Sequence, residues 1–166
     1  MNIASERSRP PADPSVYAEA VARLLSEAGD GRGALLPLLH ALQAEFGYID
    51  DALVPHVAEA LNLSRADVHG VVTFYHDFRR LPAGCHVVRL CRAESCQARG
   101  GAAIERAAVD RLGVAMGTTS SDGRVSLEPV YCLGLCATGP NALVDGVPVS
   151  RIDGGVLDRI VAQVSA

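Results

Sequence analysis

The four cysteines at positions 91, 96, 132 and 136 constrain this chain more than any other feature, because each pair directly follows a stretch that reads as a strand. Cys85 to Leu90 alternates Val and His ahead of the first pair, and Gly123 to Tyr131 runs straight into the second. Between them, Gly100 to Leu112 has helical spacing and stops at Gly113, so the whole segment reads as a βαβ unit. A right-handed crossover makes the two strands parallel and brings the loops after them to one edge of the sheet. The spacing therefore predicts four thiols converging from two loops.

What holds four thiols together depends on redox compartment and on loop length. The amino-terminal segment lacks the apolar stretch of a secretory signal, so the protein is expected to be cytoplasmic, where thiols stay reduced and disulfides are disfavoured. No CxxC occurs to make the reactive dithiol of an oxidoreductase of the thioredoxin kind. Structural zinc stays open, since four thiolates suit a tetrahedral ion, although zinc knuckles usually carry two residues between paired cysteines. Here the pairs hold four and three intervening residues and are separated by 35. A [2Fe-2S] cluster is wider than one ion and takes a pair of thiolates on each iron, which these loops accommodate. Gly134 inside CLGLC and Gly139 shortly after it let backbone come close enough to sulfur to donate hydrogen bonds. Arg92 and Arg99 near the first pair either favour a more negative reduced cluster or are solvated surface residues.

The remaining elements give an α+β chain. Ala142 to Val144 and Val147 to Ser150, joined by Asp145-Gly146, carry a hairpin signal, and a closing amphipathic helix runs from Asp153 or Gly154 to Val164. The resulting βαββα order is that of a minimal thioredoxin-like domain over residues 81–166. Ahead of it, residues 15–80 read as a bundle of about four short helices. Ser15 caps the first, which runs to Ala28 and is broken by GDGRG; Leu35 to Phe46 forms the second and Gly47 stops it. Asp50 caps a third with Val54, Val57, Ala58 and Leu61 inward, and Ser64 opens a capping box SRAD ahead of Val68, Val71, Val72 and Phe74. Residues 1–14, with three prolines among Ser and Arg, are expected to form a mobile tail.

Composition excludes several functions. All 15 basic residues are Arg, so neither a phosphate-loop lysine nor a Schiff-base lysine exists. A net charge of −4 argues against nucleic-acid binding. No apolar run approaches the roughly 18 residues of a membrane span, so no membrane insertion is expected. No acid/base dyad is evident, and catalytic residues are expected to be none. Cys85 shares strand parity with Val87 and Arg89 and reads as a small buried apolar residue. His69 and His76 lie seven apart, which on a continuous helix places them on one face as a surface or packing pair.

Three stretches carry a family signature: HGVVTFYHDFR (69–79), LCRAESCQARGG (90–101) and YCLGLCATGPNALVDG (131–146). They resemble the thioredoxin-like [2Fe-2S] subunits related to the cluster-carrying subunit of NADH:quinone oxidoreductase. The CRAESC and HGVVTFYHDFR wording is most similar to the gamma subunit of NAD-dependent formate dehydrogenases. The resemblance implies that Cys91, Cys96, Cys132 and Cys136 bind one [2Fe-2S] cluster and that residues 15–80 dock on a flavin-bearing, NAD-binding subunit. It further implies FMN and NAD on that partner, and a molybdenum or tungsten cofactor on a formate-oxidising catalytic subunit. The chain would then be a non-catalytic electron-transfer subunit of an oxidoreductase complex. The equivalent subunit of an NADH:quinone oxidoreductase or an NAD-linked hydrogenase, a free ferredoxin-like carrier and a zinc-stabilised interaction module are the alternatives. Many relatives read Ala-Pro where this chain has Gly139-Pro140, a departure that removes no ligand.

Overall fold

The computed structural model describes residues 15–28 and 33–165; the expected tail at 1–14 and most of the GDGRG break lie outside the described residues. The chain separates into two compact units, Met1–Pro82 and Ala83–Ala166.

The first unit is all helical: α1 (Ser15–Ala28), α2 (Leu35–Phe46), α3 (Leu53–Ala60) and α4 (Arg65–Phe74). Leu38, Leu39 and Leu42 of α2 recur at helical spacing, and all three are fully buried with Leu53, Val57 and Val68 from the next two helices. Each such side chain contributes about 1.5–3 kcal/mol relative to exposure. Gly47 ends α2, its N–H donating to the Gln43 carbonyl. Asp50 acts one turn outside α3: its carboxylate accepts from the Ala52 N–H and from the hydroxyls of Tyr17 and Tyr48. The capping box at α4 is complete, with the Asp67 N–H donating to the Ser64 hydroxyl and the Ser64 N–H donating back to the Asp67 carboxylate.

Two expectations fail at the end of α4. Phe74 is exposed rather than inward, because the helix stops there and Tyr75 turns extended. His76 lies beyond that end, so His69 and His76 do not share a helix face. The chain is pinned instead through Gln43, whose side chain donates to the Asp77 carbonyl and accepts from the Arg79 N–H, with Phe78 buried.

The second unit holds β1 (His86–Cys91), α5 (Glu94–Ala98), α6 (Gly101–Leu112), β2 (Thr118–Thr119), β3 (Val125–Val130), β4 (Ala142–Val144), β5 (Val147–Val149) and α7 (Gly154–Ser165). The sheet order is β2-β3-β1-β4-β5, with β1 and β3 parallel and the other pairs antiparallel. Val88 partners Leu127 on one side and Val144 on the other, and this apolar row packs with Ala108 of α6 and Leu157, Ile160 and Val164 of α7. Asp145 and Gly146 both take positive φ, 51° and 83°, which a two-residue turn of right-handed twist requires. The α+β class with a thioredoxin-like sheet is therefore the observed architecture. The short β2, the short α5 and one strand of the β4–β5 hairpin are additions to the expected βαββα order.

Candidate iron–sulfur centre

Parallel pairing places both cysteine pairs at one sheet edge. Cys91 is the last residue of β1 and lies opposite Val130, the last of β3, two residues before Cys132. From Cys91 the chain turns through Ala93 into α5, a five-residue helix that carries Cys96 inward. Cys91 and Cys96 are buried, at 6% and 1% exposure, while Cys132 and Cys136 are exposed. On the second loop Cys132 itself adopts a φ of 91°, Gly134 a φ of 75°, and a 3-10 turn spans Cys136–Thr138. The left-handed geometry at Gly134 turns its N–H toward the Cys132 sulfur at 3.4 Å, the backbone-to-sulfur contact expected of a glycine there.

The two loops are stitched together by polar groups. The Ser95 hydroxyl donates to the Cys136 carbonyl at 3.1 Å, and Arg99 Nη1 donates to the Ala137 carbonyl at 3.1 Å. Asn141, 1% exposed, donates its amide to the Leu135 carbonyl at 2.6 Å and to Cys96 Sγ at 3.7 Å, while its backbone carbonyl accepts from the Cys91 N–H. Burial opposes ionisation of Cys91, but hydrogen bonds from the Ala93 backbone, the Cys96 thiol and the Cys132 and Leu133 backbones prevail and hold its pKa below the ordinary thiol value. Cys96 is pushed up, first by burial and then by the Cys91 thiol. Cys136 is pushed up by the neighbouring Cys132 thiol.

The donor chemistry fits a two-iron cluster. A tetrahedral metal with metal–sulfur bonds of about 2.3 Å spreads two of its thiolates about 3.8 Å apart. Cys132 Sγ and Cys136 Sγ stand 3.8 Å apart. The thiols come as two pairs, Cys91 with Cys96 and Cys132 with Cys136, one pair for each iron. Gly139 forms the wall beside the buried pair, where a Cβ would lie 3.3 Å from Cys96 Sγ.

Other expectations resolve differently. Arg92 pairs with Glu105 at 3.0 Å, and Arg99 bridges to the second cysteine loop. Cys85 is exposed rather than buried, because β1 begins only at His86 and the N–H of Cys85 is used in a loop contact to the Gly123 carbonyl. His69 lines an open groove of about 430 Å³ with Val54, Pro55 and Arg65. Asn141 and Ser95 are polar neighbours of the cysteine loops that the sequence pattern does not announce. Only the lone polar residue wedged between Pro140 and the apolar strand at 142–144 hints at the first.

This combination, a mixed sheet of thioredoxin type with paired cysteines after two parallel strands, defines a class of small iron–sulfur proteins. The chain belongs to the thioredoxin-like [2Fe-2S] ferredoxin family, whose model matches residues 21–165. It is 35% identical over 127 residues to the E subunit of the NADH-quinone oxidoreductase of Escherichia coli strain K12, covering 76% of each chain. The corresponding NADH-quinone oxidoreductase protein of Mycobacterium tuberculosis is 39% identical over 116 residues, 70% of this chain and 46% of that protein. Among solved structures, the NAD+-reducing [NiFe]-hydrogenase in the air-oxidized state superposes with a TM-score of 0.68 at 22% identity, over 79% of this chain and 22% of that one, a likeness of fold. No helix among the described residues is long and apolar enough to cross a membrane.

Proposed function

We propose that this chain is a non-catalytic electron-transfer subunit that carries one [2Fe-2S] cluster and exchanges single electrons with the flavin of a partner NAD-binding subunit. The observation that carries the reading is the convergence of two thiol pairs at the ends of parallel strands, the exposed pair set 3.8 Å apart. Cys91 and Cys96 would hold one iron from the buried side, and Cys132 and Cys136 the other from the exposed side. A bound cluster of this kind supplies one-electron chemistry. The chain's own part is to fix four thiolates, to direct the Gly134 N–H at Cys132 and to bury one pair away from solvent.

The parent complex on this reading is a cytoplasmic NAD-dependent formate dehydrogenase, with FMN and NAD on the partner and molybdenum or tungsten on a formate-oxidising subunit. The CRAESC and HGVVTFYHDFR wording supports it. The helical residues 15–80 form the docking domain: they build a core of their own around Leu38, Leu39 and Leu42, separate from the core of the cysteine-bearing unit. A second parent, an NADH:quinone oxidoreductase, is favoured by the likeness to the Escherichia coli protein.

Purifying the chain with its native partners and measuring iron, flavin, molybdenum and tungsten tests both levels. Two irons per chain with flavin and molybdenum or tungsten are expected. Flavin and iron without either metal would point to the second parent, and zinc in place of iron would refute the cluster. Cys132→Ala is expected to lose the visible absorption of the cluster while the circular dichroism of the helical unit persists; a normal cluster spectrum in that variant would refute the ligand assignment.

A further inference from the structure

Asn141 is one of only two buried polar residues among those described, and every polar atom of its side chain is engaged at the cysteine loops. Its amide nitrogen has two protons. One meets the Leu135 carbonyl at 2.6 Å, inside the CLGLC loop, and the other faces Cys96 Sγ at 3.7 Å. Its amide oxygen accepts from the Thr138 hydroxyl at 3.3 Å, and its backbone carbonyl accepts from the Cys91 N–H at 3.0 Å. This network determines the amide orientation, because a flipped side chain would oppose its oxygen to the Leu135 carbonyl. One residue thus touches both cysteines of the buried pair and the loop that bears the exposed pair.

A donor placed on a sulfur stabilises whichever state carries more negative charge there, and the effect is strong where water is excluded. Cys96 is 1% exposed, so solvent cannot replace the donor. Resting on the proposed [2Fe-2S] site, we infer that Asn141 is a positioning residue whose side-chain N–H bonds to the Cys96 sulfur, raising the reduction potential and tying the two cysteine loops together. The backbone contact to Cys91 survives substitution, so the side-chain part is separable from the loop geometry.

The test uses the full-length chain with its cluster assembled. Asparagine occurs three times, at 2, 62 and 141, so labelling the side-chain amide of asparagine with 15N marks few sites. In the reduced, paramagnetic protein a 15N hyperfine coupling is expected, and Asn141→Leu is expected to abolish it. That variant should titrate at a lower midpoint potential; a tenfold loss of preference for the reduced form is about 59 mV for one electron. Thr138→Val, which removes the partner of the amide oxygen but leaves the donor, should keep the potential while losing iron faster to a chelator. Absence of the coupling in the unsubstituted protein would overturn the inference, whether or not Asn141→Leu folds. An unchanged potential in an Asn141→Leu protein holding two irons would do the same. Failure of the unsubstituted chain to hold iron would instead strike the proposed function.

Discussion

Replacing Gly70 and Gly101 by Ala makes the same chemical change in two helices and should move stability in opposite directions. Gly70 lies inside α4, where an added Cβ meets nothing within 4 Å. Only the backbone-entropy term operates there, and Ala is favoured by up to about 1 kcal/mol. Gly101 opens α6, where the same Cβ would stand 2.7 Å from the Cys96 carbonyl oxygen and 3.0 Å from its carbon. Carbon contacts are most favourable near 3.5–4.0 Å, so backbone must retreat by about half an ångström or more. Overpacking of this kind costs about 1–3 kcal/mol, and the upper half of that range applies because a carbonyl, unlike a side chain, cannot rotate away. After the helix-propensity gain, a net loss of about 1–2 kcal/mol remains. The displacement also falls on a proposed iron ligand, so iron should be lost faster. Thermal unfolding followed by circular dichroism reads the first effect, at about 4–8 °C per kcal/mol for a domain of 60–100 residues. Iron transfer to a chelator reads the second. A Gly101→Ala protein as stable as the native chain, with unchanged iron release, would refute the steric argument.

Leu42→Ala, at a site with no exposure in the core of the first unit, should cost about 2–5 kcal/mol by denaturant titration. Ser64→Ala should cost about 1 kcal/mol through loss of the cap on α4. The Ser64 side chain and backbone hold the Asp67 carboxyl below its usual range, so the carboxylate's share of the box is full above the unfolded value of about 3.9 and is lost as pH falls through the folded pKa, while the Asp67 N–H bond to the Ser64 hydroxyl persists. The difference in melting temperature between the native chain and Ser64→Ala should accordingly narrow between pH 7 and pH 3. Gly134→Ala puts a Cβ at a φ of 75°, a strain of about 1–2 kcal/mol that turns the donor from Cys132, and should accelerate iron release.

Much of the architecture is written in local pattern. The 3.6-residue recurrence of Leu38, Leu39 and Leu42, the SRAD box at Ser64 and the Asp145-Gly146 turn act over a few residues, and each forms where the pattern puts it. Helix and strand ends are harder to read where nothing local decides them. Phe74 continues the apolar spacing of α4 and His76 the helical spacing from His69, yet the chain leaves the helix there because Gln43, more than 30 residues away, binds its backbone at Asp77 and Arg79. Cys85 has the parity of a strand residue, but the pairing of β1 with β3 starts one residue later, at His86 opposite Val125.

By itself the sequence determined that two cysteine pairs follow two strands joined by a crossover helix, and handedness then required both pairs to reach one edge. Only the tertiary structure decided that the first pair is buried and the second exposed. It alone brought Asn141, 45 residues from Cys96, against that sulfur, and left the Gly101 position without room for a side chain. Spacing along a chain limits which loops can meet, whereas burial and hydrogen-bond partners depend on packing between segments whose separation no local pattern encodes.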